Sequence, residues 1–250
     1  MTDNQKLLSE IHKAITQTIA DKKIGLAFSG GVDSSLLAKI CSDLGYDITL
    51  LTIGFANSHD IEFAKEVNQE LKFTHQIYEI ETETFTEVSK KIHEKIKTGN
   101  LSWNENCIAF YYVSKLANKL GLTTVVTANG IDELFCGYNA YREAFEDGKT
   151  AILKLMDSKL ANELEMMKAV NDVSTEFNVK VVQPLLSKDF INFAKDIPIN
   201  EKIISSDDLL RKHVIRNLAL EIGVPEIAAT KKKKALQYGS KIHKALIKSR

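Results

Sequence analysis

The feature that most constrains this chain is an alternation. Within the first 127 residues, four short strand-like runs, three of them apolar or β-branched, are separated by amphipathic stretches of helical length. Ile24–Phe28, Ile48–Ile53, His75–Ile80 and Thr123–Thr127 are too short for stable helices and favour Ile, Leu, Val and Thr, which predicts strands. Leu7, Leu8, Ile11, Ile15 and Ile19 recur at helical spacing ahead of the first run. Leu36–Leu44, Ile61–Leu71, Phe85–Ile96 and Ile108–Leu120 do the same further on, with Gly45 and Gly121 as stops. Strands joined by helices predict βαβ units and therefore a parallel sheet. Ligands of such sheets sit at the carboxyl ends of strands, near the reversal of strand order. Attention falls on the segments after Phe28, Ile53 and Thr127.

Beyond Tyr141 the pattern changes. Ile152, Leu153, Met156, Leu160, Leu164 and Met167 form a helical stripe, and Phe190–Ala194 and Leu209–Leu220 also read as helical. Val179–Val182 is the sole strand signal there. No Gly/Ser/Pro-rich linker intervenes, so residues 1–146 are expected to form an α/β core and 147–250 a mainly helical part of the same compact domain.

Charge narrows the function classes. The 250 residues carry 33 Lys+Arg and 33 Asp+Glu, and a chain with no cationic surplus is not built to coat nucleic acid. The balance is uneven, however. Residues 1–146 hold 14 basic and 20 acidic side chains, and residues 147–250 hold 19 and 13. No apolar run is long enough to span a bilayer, and the polar stretch Met1–Glu10 does not resemble a signal peptide. Cys41, Cys107 and Cys136 are odd in number and far apart, as expected of a reducing compartment; a cytoplasmic location without membrane partners is the expectation.

Ser29-Gly30-Gly31-Val32-Asp33-Ser34-Ser35 joins the first strand to a helix. Adjacent glycines let backbone N–H groups turn inward, the helix start adds a positive dipole end, and three hydroxyls add donors. This is a cradle for a phosphate-like anion. It is neither Walker A nor GxGxxG. An acid inside an anion site makes sense where Mg²⁺ bridges Asp33 to phosphates. SGGVDSS resembles the PP-loop of the ATP pyrophosphatases, which grips the β,γ-pyrophosphate while ATP is cleaved between its α and β phosphates.

Two further stretches narrow the resemblance. Thr127-Ala128-Asn129-Gly130-Ile131-Asp132-Glu133-Leu134-Phe135-Cys136-Gly137-Tyr138 is similar to the SGEGxDELFGGY signature of the asparagine synthetase and β-lactam synthetase family, matching at Gly130, Asp132–Phe135, Gly137 and Tyr138. Lys231–Ser240 resembles that family's R-x-K-x-A-x-Q-Y-G-S stretch. The resemblance implies a five-stranded parallel twisted sheet sandwiched by helices, with a helical C-terminal half packed on it. It also implies an AMP-forming amidoligase that adenylates a carboxylate and lets ammonia or an amine displace AMP. ATP and Mg²⁺ are the implied cofactors.

By the same resemblance, Asp33 and Asp132 hold the metal and take part in catalysis, and Lys233 meets the phosphates. Phe28, Ser29, Gly30, Gly31, Ser34, Ser35, Ile53, Thr127, Ala128 and Gly130 surround the nucleotide.

The family pattern is not matched throughout. Asn129 stands where the signature has a glutamate credited with handling protons on the nucleophile, and an amide cannot act as a base. The family's GVExRxPFLD stretch reads Asn178–Ser187 here, keeping Pro184 and Leu186. With about 23 residues ahead of the first strand, no glutaminase domain is expected. Nitrogen would then come from free ammonia, an amine substrate or a separate ammonia-supplying protein; a homo-oligomer is also compatible with the sequence. Arg211, Lys212 and Arg216 read as a solvated basic helix face, with a phosphate-facing role as the alternative. Trp103, Asn104 and Glu105 read as a loop before a helix, in which either Trp103 lines the acceptor pocket or Asn104 simply caps the helix. Competing functions are a tRNA-modifying PP-loop ATP pyrophosphatase and a catalytically degenerate ATP-binding module.

Overall fold

The computed structural model describes residues 3–231 and 236–248. Five short strands carry the fold: β1 (Lys23–Ala27), β2 (Asp47–Gly54), β3 (Thr74–Glu79), β4 (Thr124–Val126) and β5 (Lys180–Val182). They form one sheet in the order β3-β2-β1-β4-β5, and every pairing is parallel. The chain runs outward from β1 through β2 to β3, then crosses back to lay β4 on the other side of β1. Strand order thus reverses between β1 and β4, and the loops leaving these two strands flank the crevice where open α/β sheets bind ligands.

Around the sheet lie α1 (Asp3–Thr18), α2 (Val32–Asp43), α3 (His59–Leu71), α4 (Thr82–Ile96), α5 (Leu101–Lys119), α6 (Ile131–Leu134), α7 (Ala140–Glu146) and α8 (Lys149–Ser174). After β5 come α9 (Lys188–Asp196), α10 (His213–Glu221), α11 (Glu226–Thr230), α12 (Leu236–Gly239) and α13 (Ile242–Lys248). Leu26 and Ile24 on β1, Leu50 on β2 and Val125 and Val126 on β4 are buried, as expected of central strands covered on both faces. The back half supplies more than helices: β5 completes the sheet, with Val181 opposite Val125 and Val182 opposite Val126.

The structure departs from the sequence reading in three places. Trp103 lies within α5, whose cap is Asn100, accepting from the Trp103 N–H at 3.3 Å. Its indole N–H donates to Asn162 Oδ1 at 3.0 Å, and Asn104 instead donates to the carbonyls of Thr98 and Asn100. The helix expected over Leu209–Leu220 begins only at His213. Asp208 explains the delay, because its Oδ1 accepts the Leu210 and Arg211 N–H groups and its Oδ2 accepts that of Ile204. Arg211 and Lys212 then take left-handed backbone angles, φ 49° and 55°. Third, Arg211, Lys212 and Arg216 are all buried, so the expected solvated basic face does not exist.

Candidate functional site

A cleft of about 530 Å³ opens at the carboxyl ends of β1, β2 and β4. Its size suits a small-molecule ligand. One wall is the loop after β1. Its ladder continues one residue past the strand, the Phe28 N–H donating to the Leu51 carbonyl at 2.9 Å. The loop then closes on its own hydroxyls: Ser34 Oγ donates to the Gly31 carbonyl, and Ser35 Oγ donates to the Gly30 carbonyl. Gly30 has φ +75°, and a Cβ there would lie 3.0 Å from the Cα of Ala64 and from the Phe63 carbonyl oxygen. Only glycine lets the loop sit this close to α3. No side chain caps α2, so its first-turn N–H groups keep their capacity for an anion.

The second wall follows β4. The Thr127 N–H donates to the Val182 carbonyl at 3.0 Å, so β5 directly braces the start of this loop. Gly130 has φ +108°, and a Cβ there would fall 2.8 Å from the Leu185 carbonyl oxygen. The Glu133 carboxylate returns to its own loop, accepting the Gly130 N–H at 3.1 Å and the Tyr138 hydroxyl. Asp132 is thereby presented toward Asp33 across the point of reversal.

Between the two carboxylates stands Lys212. Its ammonium donates to both Asp33 oxygens at 2.8 and 2.7 Å and to Asp132 Oδ1 at 3.1 Å. Only 2% of the Lys212 side chain is exposed, against 21% for Asp33 and 17% for Asp132. Burial pushes the Lys212 ammonium below the ordinary lysine range, while the Asp33 charge pulls it back up. The left-handed turn at Arg211 and Lys212 makes the reach possible; the Lys212 N–H is tied to the Lys202 carbonyl at 2.6 Å. Arg216 secures the same turn by donating to the carbonyls of Leu210, Arg211, Ala229 and Lys231. It thus anchors the first residue of the lysine run, and Lys231 itself lines the cleft, its ammonium over the Phe63 ring.

Two carboxylates that share one ammonium can share one divalent cation, so the pair fits Mg²⁺. Among the described residues no cluster of three or more His, Cys, Asp or Glu could hold a metal. The remaining ligands would therefore be water and phosphate oxygens, the usual mode for Mg²⁺.

Phe28, Ser29, Gly31, Asp33, Ser34, Ile53, Thr127, Ala128 and Asp132 all border this one cleft. Gly30, Ser35 and Gly130 lie behind its walls: Gly30 backs onto α3, Ser35 is fully buried, and Gly130 backs onto Leu185. Lys233 lies outside the described residues. Sequence reasoning named Lys212 only as one of three cations, with a solvated face preferred to a phosphate-facing role, and it missed Glu163. Lys212 could not be singled out, because its position depends on a turn set by Asp208. Glu163 did leave a trace: it interrupts the buried face of α8 between Leu160 and Met167, where an acid is out of place.

The chain is similar to known proteins over most of its length. The family model described as "Asparagine synthase" matches residues 6–176. The chain is 28% identical over 257 residues to the Methanocaldococcus jannaschii protein named "Putative asparagine synthetase (glutamine-hydrolyzing) 1", covering 90% of this chain and 47% of that protein. It is 26% identical over 223 residues to asparagine synthetase (glutamine-hydrolyzing) 2 of Oryza sativa subsp. japonica, covering 84% and 38%. The chain thus spans less than half the length of these two relatives. Among solved structures it is similar to NMN synthetase from Francisella tularensis, with a TM-score of 0.49, 16% identity, and 94% and 75% of the two chains covered. Among the described residues no helix is long and apolar enough to cross a membrane. With the family model covering residues 6–176, from the first helix past the Asp33 and Asp132 loops, the chain belongs to the asparagine synthase family.

Proposed function

We propose that this chain is an ATP-dependent, AMP-forming amidoligase. A substrate carboxylate oxygen attacks the α-phosphorus of ATP, the bond from that phosphorus to the bridging oxygen breaks, and pyrophosphate leaves. Ammonia or an amine then displaces AMP from the acyl adenylate. The observation that carries this reading is the convergence of Asp33, Asp132 and Lys212 in one cleft with the glycine-serine loop.

Each part has a role in cleavage between the α and β phosphates. The loop after β1 and the start of α2 offer N–H donors to the leaving pyrophosphate. Asp33 and Asp132 would hold Mg²⁺, which supplies charge neutralisation to the phosphates. Lys212 holds the two carboxylates together before the metal arrives, and with Mg²⁺ on the carboxylates its ammonium would be a neighbouring cation for phosphate oxygens. Phe28 and Ile53 border the apolar side of the cleft, where a base can rest, with Thr127 and Ala128 on its other side. Beyond Asn129 the cleft becomes polar, lined by Asn106, Lys159 and Asn162, and there we place the acceptor acid.

The test is a panel of amino, dicarboxylic and hydroxy acids, incubated with ATP, MgCl₂ and ammonium chloride and assayed for pyrophosphate and AMP. Acid-dependent release of both is the expected result. Formation of ADP and phosphate instead overturns the reading.

A further inference from the structure

One fully buried cation lies outside the cleft. Lys202 follows the single turn Ile199–Glu201 and has none of its surface exposed. Its ammonium donates to the Ala194 carbonyl at 2.6 Å, near the C-terminal end of α9, and stands 5.6 Å from the centre of the Phe135 ring. Among the described residues it has no carboxylate partner at hydrogen-bond distance. Burial pulls this ammonium down from 10.5 to about 8, against the smaller opposing pull of Cys136 and Asp196. An enclosed charge held only by a carbonyl and a ring face is destabilising. A methionine of similar length would fill the same space without the desolvation penalty. Nor would the change orphan an acceptor, since the Ala194 carbonyl also receives the Ile197 N–H at 3.3 Å.

The neighbours of Lys202 give the charge a use. Its own carbonyl accepts the Lys212 N–H at 2.6 Å, within the turn from which Lys212 reaches Asp33 and Asp132. Phe135, on the other side, stands three residues beyond Asp132, and its N–H closes α6 on the Ile131 carbonyl at 2.9 Å. Lys202 therefore touches both partners of the Lys212–Asp132 contact, one through its main chain and the other through its side chain. The end of α9 is the fixed point, because the negative end of a helix dipole holds a cation.

We infer that Lys202 is a positioning residue: its ammonium, seated between the end of α9 and the Phe135 ring, sets the spacing between Lys212 and the Asp132 loop. The kinetic consequence rests on the amidoligase reading above; the structural one does not. Charge matters here as well as bulk. A neutral amine loses the attraction to the ring face, and its hydrogen bond to the carbonyl loses its charge assistance. The other groups facing this ammonium are Asp196 of α9 and Cys136 beside Phe135, with Arg211 and Asp208 acting on Cys136 in turn. Burial holds the Cys136 thiol protonated up to about 12.

Lys202→Met removes the charge and keeps the bulk. The variant should melt at or above the wild-type temperature, as expected when a buried charge without a counter-ion is replaced by an apolar chain. In amide hydrogen exchange the Lys212 N–H should exchange about tenfold faster, with amides outside residues 200–216 and 131–138 within about threefold of wild type. Acid-dependent pyrophosphate release should fall about tenfold at pH 7, since a small misplacement of the site is enough for that. That ratio should shrink to within about twofold by about pH 9.5, where the wild-type amine has itself lost its charge. A variant that does not fold, or that melts more than about 5 °C below wild type, makes Lys202 a structural residue and overturns the inference. So does unchanged exchange at Lys212, full turnover in the variant, or a turnover ratio independent of pH. Wild type that releases no pyrophosphate with any acid overturns the amidoligase reading instead, and melting and exchange then decide on Lys202.

Discussion

Removing the Lys212 ammonium while keeping its bulk, as in Lys212→Met, is the most direct probe of the site. The ammonium has Asp33 and Asp132 oxygens at 2.7 and 3.1 Å, so those oxygens lie no more than about 6 Å apart. Once it is gone, two like charges face each other at that range in a largely enclosed cleft. At an effective dielectric of about 20 their repulsion is about 3 kcal/mol, at the lower edge of the roughly 3–5 kcal/mol found when one partner of a buried ion pair is deleted. The lower edge is appropriate because both carboxylates keep some contact with water. For 250 residues the unfolding entropy near the melting point is about 0.5 kcal/mol per degree, so Tm should fall by about 6 °C in EDTA. Magnesium should reverse part of this loss. A divalent ion binding the pair with a Kd of about 1 mM would return about 1.4 kcal/mol at about 10 mM, close to 3 °C. Wild type, with Lys212 already between the carboxylates, should respond less. Thermal melts of both proteins in EDTA and in MgCl₂ decide the matter. A variant that melts within 1 °C of wild type, or that ignores magnesium, refutes the reasoning.

Other consequences can be measured alongside. Asp33→Asn should lower acid-dependent pyrophosphate release about 100-fold or more, since the charge facing the phosphates through the metal is lost; undiminished release would remove Asp33 from the site. Gly30→Ala should cost about 1–3 kcal/mol in urea denaturation, because its φ of +75° and the 3.0 Å approach to Ala64 leave no room for a methyl group. His75 should make the fold sensitive to acid. Burial, with a smaller contribution from Lys65, pushes its imidazole down from 6.5 to about 4. The unfolded chain therefore binds the proton first, and the stability this group contributes is full above pH 6.5 and lost as pH falls toward 4. About 2 kcal/mol should disappear between pH 7 and pH 4.5 on that account, and His75→Gln should flatten that part of the pH profile.

The fold was legible because strands buried on both faces must be apolar and short. Ile24–Phe28 and Ile48–Ile53 show this plainly, and β5 was visible as Val179–Val182. Strand order is a different matter. Nothing in the periodicity says that β4 returns beside β1, and only the family resemblance placed the Asp33 and Asp132 loops together. Lys212 was misread because sequence rules treat a cation as solvated, whereas here a turn organised by Asp208 carries it inward. The neighbouring Asp207-Asp208 and Arg211-Lys212 pairs were the available hint. The hydrogen bond from Asn129 to Glu163 was invisible because the two lie 34 positions apart, on a loop and a helix that one-dimensional spacing cannot join.

The brace from Val182 to Thr127 and the reach of Lys212 also bear on how the protein matures. Both are contacts between segments distant in sequence, 55 and 179 positions apart in the two pairs Thr127–Val182 and Asp33–Lys212. Local helices and the β1–β2 pair can condense while the chain is still emerging, but the loop bearing Asp132 has no strand to lean on until residues 180–182 are made. The Asp33 loop waits longer still, for residue 212. At about 5–20 residues per second, that gap lasts from several seconds to about half a minute. During this interval the nascent sheet carries an open β4 edge and two uncompensated carboxylates. Late closure of the cleft is thus written into the order of the strands, and agents that delay the back half should leave a partly folded intermediate in which the Asp33 and Asp132 loops are not yet joined.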